Sequence, residues 1–340
     1  MRVDGSLFVE SPSEAAAAAA RLEALGYHGG FTFEGRHDPF LPLAIAADAT
    51  DRLELATAVA IAFARNPMLL ANLGYDLQLQ SKGRFILGLG SQIRPHIERR
   101  YSAVWSKPAA RMRELVLAIR AIWAAWQNTS KLDFSGEFYR HTLMTPVFDP
   151  GPNPFGDARI FLAGVGPRMT EVAGEVADGF FVHPFHTAES IARITLPALE
   201  RGRARGTRGD RDFAIACQVI IASGETEEEL ERAKNTARAQ ISFYGSTPAY
   251  RGVLACHGWD DLHLELNRLS KRGEWLAMAG LIEPEVLDAI AVVGPLDEIA
   301  EKVRKRCGAF ADRVSLVAPS VPDPDRWVDV VRALSADPSA

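Results

Sequence analysis

Cysteine is scarce: Cys217, Cys256 and Cys307 are three residues in 340, odd in number and far apart. That excludes a disulfide framework, and no pair has the close spacing of a zinc knuckle, so a reducing cytoplasm is the expected compartment. No block of one charge sign is present either. The formal net charge is −5, and without a long Lys/Arg run neither nucleic acid nor an anionic membrane is an expected partner. No apolar run approaches membrane-spanning length. The N-terminal MRVDGSLFVESP carries an acid in its first apolar run and lacks the apolar core of a signal peptide, so it reads as mature protein. The Ala15–Ala20 run, flanked by Glu14 and Arg21, is ordinary helix.

Three catalytic signatures are missing as well. There is no Gly-x-Ser-x-Gly elbow for a serine hydrolase, and no Gly-x-Gly-x-x-Gly opens a helix after a first strand as a Rossmann site requires. The first apolar run, Val3-Asp4-Gly5-Ser6-Leu7, lacks the His-x-His pair common in barrel metallohydrolases, so no metal centre is expected.

What is present is an alternation. Eight short apolar runs, from Val3–Val9 to Val314–Val317, are separated by amphipathic helical stretches. Length and composition allow one large domain or two ordinary ones; the alternation predicts a single (β/α)8 TIM barrel over residues 1–340. The predicted strands are 3–9, 29–34, 53–63, 85–90, 159–164, 179–183, 213–222 and 313–318. The predicted helices are 12–25, 39–50, 67–81, 107–127, 167–177, 187–204, 225–241, 295–307 and 323–334. Proline behind a polar residue or glycine marks five helix starts, at Ser11–Pro12, Asp38–Pro39, Asn66–Pro67, Gly166–Pro167 and Gly294–Pro295. Ser11 with Glu14 and Thr226 with Glu229 have capping-box spacing. Two insertions interrupt the pattern: 128–158 after the fourth helix, an ordered excursion near the active face, and 242–294 before strand eight, helical in parts. They serve as lids or subunit contacts, or as inert decoration.

A barrel of this kind places its chemistry where strands end. Strand two ends Phe31-Thr32-Phe33-Glu34 and continues through His37 and Asp38, so the carboxylate of Glu34 and the imidazole of His37 are candidate proton-transfer groups, while Asp38 is a cap or a site residue. Strand three ends in the small and branched run Thr57-Ala58-Val59, which leaves room for a flat ring or simply fills the barrel; Arg65 and Asn66 offer donors just beyond. Strand four ends Gly88-Leu89-Gly90 and leads into Ser91, Gln92 and His96, with glycine permitting close approach by a ligand. Strand five runs through Ala163-Gly164-Val165-Gly166 into a helix beginning Pro167-Arg168-Met169, which is either an anion site for a phosphate or a tight turn without a ligand. His183 at the end of strand six faces the ligand or packs.

Together these segments resemble the luciferase-like monooxygenase superfamily, in particular its branch of oxidoreductases using coenzyme F420, an 8-hydroxy-5-deazaflavin. The resemblance runs through Glu34–Phe40, Phe63–Pro67, Gly83–Gln92, Ala163–Met169 and Ala173–Gly179. Leu143–Pro150 and Tyr244–Tyr250 are similar to a mycobacterial-type subgroup. The resemblance implies a deazaflavin at the C-terminal mouth, backed by a bulge in strand three with a non-prolyl cis peptide, by position Ala58–Val59. It also implies a cofactor phosphate on the amides of Gly164, Val165 and Gly166, and His37 near the reactive ring. One departure stands out: sugar-phosphate dehydrogenases of this branch carry a glutamate shortly after the strand-four glycines, where this chain has Ser91, Gln92 and Ile93. Sugar-phosphate oxidation is therefore not expected, and His37, Glu34 and His96 remain as candidate proton donors.

The expected activity is hydride transfer between F420 and a small organic substrate, with an apolar pocket suggested by residues in 128–158. Two alternatives are an FMN-dependent monooxygenase on the same barrel and a cofactor-binding protein without turnover. A homodimer is expected by analogy, with Trp123 and Trp126 either at the contact or packed on the insertion.

Overall fold

Strand β1 (Arg2–Ser6) pairs in parallel with β2 (Gly29–Thr32) on one side and with β8 (Arg313–Val317) on the other, so the sheet closes. Around the ring lie β3 (Glu54–Thr57, resumed at Ala60–Ile61), β4 (Phe85–Gly90), β5 (Arg159–Ala163), β6 (Gly179–Val182) and β7 (Ala214–Gly224). The computed structural model describes residues 1–206 and 212–336. Among them these eight parallel strands form the expected (β/α)8 TIM barrel. Outside it lie α1 (Ala15–Ala24), α2 (Leu41–Ala49), α3 (Pro67–Gln80), α4 (Pro108–Trp126), α5 (Pro167–Val176), α6 (Leu196–Arg205), α7 (Glu227–Gly245), α8 (Ile299–Cys307) and α9 (Val328–Ser335). No helix among the described residues is long and apolar enough to cross a membrane.

Local chemistry explains several boundaries. Asn66 caps α3 by accepting from the Leu69 amide at 3.0 Å, with Pro67 in the first turn. Asp38 accepts from the amides of Phe40 and Leu41, so α2 starts at Leu41 rather than at 39. The two predicted capping boxes close one residue early: Glu14 accepts from the Glu10 amide and Glu229 from the Glu225 amide. The predicted helix start at Gly294–Pro295 coincides with the end of an unexpected strand, Ala291–Pro295, and a 3-10 turn over Leu296–Glu298 leads from it into the helix. This strand pairs with Ile220–Gly224, the half of β7 that overhangs its barrel neighbours, and α8 begins four residues past Pro295. The predicted strand 53–63 is likewise broken between Thr57 and Ala60.

Phe31, Ile86, Phe161 and Phe181 fill the barrel interior, with the Phe161 and Phe181 ring centroids 5.3 Å apart. Each such ring removed from water contributes about 2–3 kcal/mol. At the N-terminal end an ionic cluster plugs the barrel. Arg313 forks onto Asp4 (2.6 and 2.8 Å) and also reaches Glu54, which pairs with Arg2 and Arg159 too. Burial alone would raise the Glu54 carboxyl; the Arg313 charge, then Arg159 and Arg2, outweigh it and hold the group at about 2. Gly29 leaves the necessary space, because a Cβ there would lie 2.5 Å from Asp4 Oδ1 and 2.7 Å from Arg313 Nη2.

The 128–158 insertion forms a short hairpin (Phe134–Ser135 with Arg140–His141) on the mouth-side end of α4, where Glu114 accepts from the amides of Glu137, Phe138 and Tyr139. It then runs down the outside of α3, held by Asn153 donating to the Tyr75 carbonyl and Gln78 to that of Phe155. Its exposed Leu143, Val147 and Phe148 therefore line a groove with Met68 and Tyr75 on α3. This corrects the use of that segment as an argument for an apolar substrate pocket. Trp123 and Trp126 are buried, Trp123 donating to the Ala71 carbonyl and Trp126 edge-on to Tyr75, so neither is available for a subunit contact.

Candidate active site

The wall of the mouth is set by a change of register. Leu55 and Ala56 pair with Phe85 and Ile86, yet Ala60 and Ile61 pair with Leu89 and Gly90, so β3 carries one residue more than β4 over this stretch. That is a bulge, and the Ala58–Val59 peptide inside it is cis. The Ala58 amide donates to the Thr32 carbonyl and the Val59 carbonyl accepts from the Glu34 amide, pinning both sides to β2. Thr57 is fully committed to the scaffold: its hydroxyl donates to the Gly88 carbonyl (2.7 Å) and accepts from the Gly88 amide (2.9 Å). A Cβ on Gly88 would overlap the Thr57 carbonyl oxygen, and one on Gly90 would lie 2.7 Å from Val59 Cγ2. The result is a surface of backbone and small groups, Ala58, Val59 and Gly90, at the end of the barrel.

Three loops are tied together beside this wall. The Glu34 carboxylate accepts from the Ile61 amide (2.7 Å) and Arg65 Nη1 (2.6 Å) through one oxygen and from the Tyr101 hydroxyl (3.0 Å) through the other. Burial and the Glu34 hydrogen bond push the Tyr101 hydroxyl up, which keeps it a donor. Arg65 continues to Asp38 at 3.2 Å and lies over the Phe40 ring, while Arg100 donates to the Gly35 carbonyl at 2.7 Å. Of the residues named from sequence, Glu34, Arg65 and Asn66 thus have their polar atoms engaged in holding loops and helix ends. His37 stands exposed at the crest of these loops, and its ring makes no hydrogen bond among the described residues. Ser91 and Gln92 follow Gly90, with the Ser91 hydroxyl donating to the Gln92 carbonyl; His96 is exposed in a short π-turn. Phe8 and Phe33, both more than half or half exposed (59% and 50%), meet edge-to-face at 4.8 Å on the same rim.

A cavity of about 190 Å³ opens beside the start of α5, lined by Gly164, Val165, Gly166, His183 and His186 among others. The Met169 and Thr170 amides donate to the Gly166 carbonyl, whereas the amides of Val165, Gly166 and Arg168 donate to nothing among the described residues. These free donors lie at the positive end of a ten-residue helix. Ala163 ends β5 just before them. The Met169 side chain is buried over Gly164, and the Arg168 side chain points to solvent.

His183 forms the other side of the cavity. Its Nδ1 accepts from the Phe185 amide at 3.1 Å, so in the neutral ring the proton is on Nε2, which donates to the Tyr250 hydroxyl at 3.1 Å. Burial, with the nearby His186, pushes this imidazole down to about 3, so it is neutral near pH 7. Tyr250 stacks on the ring at 4.5 Å and Tyr244 meets it edge-on at 4.7 Å. Residue-by-residue reading of the chain reached Arg100 only as one of the basic pair Arg99-Arg100 beyond strand four and missed Tyr101 and Tyr250; only the Tyr244–Tyr250 resemblance pointed toward the last.

Comparison with known proteins agrees with this architecture. The luciferase-like monooxygenase family profile matches residues 2–313. An uncharacterized Mycobacterium tuberculosis protein, Rv1360, is 56% identical over 314 residues, 92% of each chain. The 5,10-methylenetetrahydromethanopterin reductase of Archaeoglobus fulgidus is 26% identical over 297 residues, covering 85% of this chain and 84% of the reductase. Among solved structures, the coenzyme F420 dependent tetrahydromethanopterin reductase of Methanopyrus kandleri superposes with a TM-score of 0.77 at 18% identity, over 97% of this chain and 96% of that one. With the profile spanning nearly the whole barrel and a relative so similar over its length, the chain belongs to the luciferase-like monooxygenase family of oxidoreductases.

Proposed function

We propose that this enzyme transfers a hydride between coenzyme F420 and a small, largely apolar organic substrate at the C-terminal mouth of the barrel. The observation that carries the reading is the set of unengaged amides at Val165 and Gly166, opening into a cavity on the same rim as the flat, bulged wall of β3. The residues fit such a group: backbone donors at a helix N-terminus suit its phosphodiester, and open space on Gly166 leaves that approach clear. Ala58, Val59 and Gly90, with Ser91 and Gln92 beyond, would back the ring, and neutral His183 would close the cavity beside the tail. When bound, F420 supplies or accepts the hydride at its C5 carbon.

The chain's own work is positional and proton-handling. Glu34, Arg65 and Tyr101 keep the three rim loops in register, Thr57 holds the bulge against β4, and Phe8 with Phe33 offers apolar surface to the substrate. His37, with free ring nitrogens, gives or takes the proton that accompanies hydride transfer at the substrate oxygen or nitrogen. A homodimer through the outer face of α3 fits the exposed Leu143, Val147 and Phe148 there.

The reading is tested by mixing the enzyme with reduced F420 and a panel of ketones, aldehydes and activated alkenes, and following reappearance of the oxidised chromophore. Turnover with at least one acceptor, slowed 10²-fold or more in His37→Ala with binding retained, is the expected result. Binding without exchange in any case would favour a carrier role, and exchange unaffected by His37→Ala would remove that residue from the mechanism.

A further inference from the structure

The chain brings together two cysteines 90 positions apart in sequence and a histidine, on the outer side of the barrel wall. Cys217 lies on β7, Cys307 is the last residue of α8, and His186 follows β6; all three are buried, and their ligand atoms lie within 4.8 Å of one another. Cys217 Sγ is 3.4 Å from His186 Nε2. The histidine is oriented from its far side: Nδ1 lies 2.9 Å from the His183 carbonyl, which can only accept, so Nδ1 carries the proton and Nε2 turns a lone pair toward the sulfurs.

We propose that His186, Cys217 and Cys307 form a buried site for a thiophilic d10 cation, Zn(II) or Cu(I). Two thiolates and a neutral imidazole are a soft donor set, and an ion about 2.0–2.3 Å from each donor separates nitrogen and sulfur by roughly 3.5 Å, close to the spacing present here. The Nδ1–H to carbonyl bond is the support that commonly fixes the tautomer of a ligating histidine. Arg306, anchored on the carbonyls of Asp288, Ile290 and Ala291, places a positive charge beside the pair, complementary to sulfur donors in thiolate form. Cys256, only partly buried and outside the cluster, serves as an internal control. Because His186 also lines the cavity by α5, an ion on Nε2 would brace β6, β7 and α8 behind that cavity wall. This site departs from the sequence expectation of no metal centre, and it stands without the cofactor assignment.

The test loads the reduced full-length protein separately with Zn(II) and with Cu(I), then desalts it and measures metal per chain, together with the rate of thiol alkylation in the native loaded protein against the native apoprotein. The expected result is one equivalent of at least one ion, two of three cysteines protected by it, retention unchanged in Cys256→Ser, and retention lowered 10-fold or more in both Cys217→Ser and Cys307→Ser. Preference between the ions identifies the source: Cu(I) alone fits a dry three-donor site, Zn(II) a site completed by water. Retention of neither ion, or retention in Cys217→Ser and Cys307→Ser undiminished from that of the unsubstituted protein, overturns the proposal; the alkylation pattern of the unsubstituted protein decides it even where a variant does not fold.

Discussion

Arg65 Nη1 meets Glu34 Oε2 at 2.6 Å, joining the loop after β2 to the loop after β3 with 15% and 7% of the two side chains exposed. Removing the Glu34 carboxylate leaves Arg65 with only Asp38 and the Ile61 carbonyl and strips the Ile61 amide and the Tyr101 hydroxyl of their acceptor, so Glu34→Ala is expected to cost about 3 kcal/mol in denaturant unfolding. Glu34→Gln, which keeps acceptors for the Ile61 amide and the Tyr101 hydroxyl, should recover part of that. A change below measurement error in Glu34→Ala would show that the clamp holds nothing.

Two glycines on the rim should respond in opposite ways. Gly88→Ala forces a methyl into the Thr57 carbonyl, backbone against backbone, and is expected to destabilise by about 3 kcal/mol or prevent folding. Gly166→Ala meets nothing within 4 Å and has extended φ/ψ, so its thermal midpoint should be unchanged while F420 affinity falls several-fold. Calorimetry and a binding titration on the pair check both halves.

The plug of Arg313, Asp4 and Glu54 makes a pH claim. Glu54 sits at about 2 in the folded chain against an ordinary 4.5, so its contribution is complete above pH 4.5 and is lost as pH falls from there toward 2. The shift corresponds to about 3 kcal/mol. Acid unfolding of Glu54→Gln should lack this part of the slope; a parallel curve would contradict the assignment.

Tyr250 accepts the only proton of neutral His183. Tyr250→Phe leaves a half-buried N–H without its partner and should lower stability by about 1–2 kcal/mol, read from the urea midpoint. Equal stability would mean that solvent or a rotated ring takes over that bond.

Much of this architecture was legible because it is local. Pro67 and Pro167 mark helix starts through their own backbone chemistry, and Gly164–Gly166 announces an amide-rich turn whatever surrounds it. What escaped is written across the chain. The strand Ala291–Pro295 exists because β7 overhangs its neighbours, which no property of the short run AVVG reveals. Glu34 looked like a free carboxylate until Ile61, Arg65 and Tyr101 were placed around it. The convergence of His186, Cys217 and Cys307 depends on three separate βα units and has no sequence spacing at all.

The most direct measurement is an equilibrium titration of the apoprotein with F420 and, separately, with FMN, followed by fluorescence. The account expects micromolar or tighter F420 binding, weakened in Gly166→Ala, and FMN binding at least 10-fold weaker. Micromolar FMN binding with none for F420 would contradict it and favour a flavin monooxygenase on the same barrel.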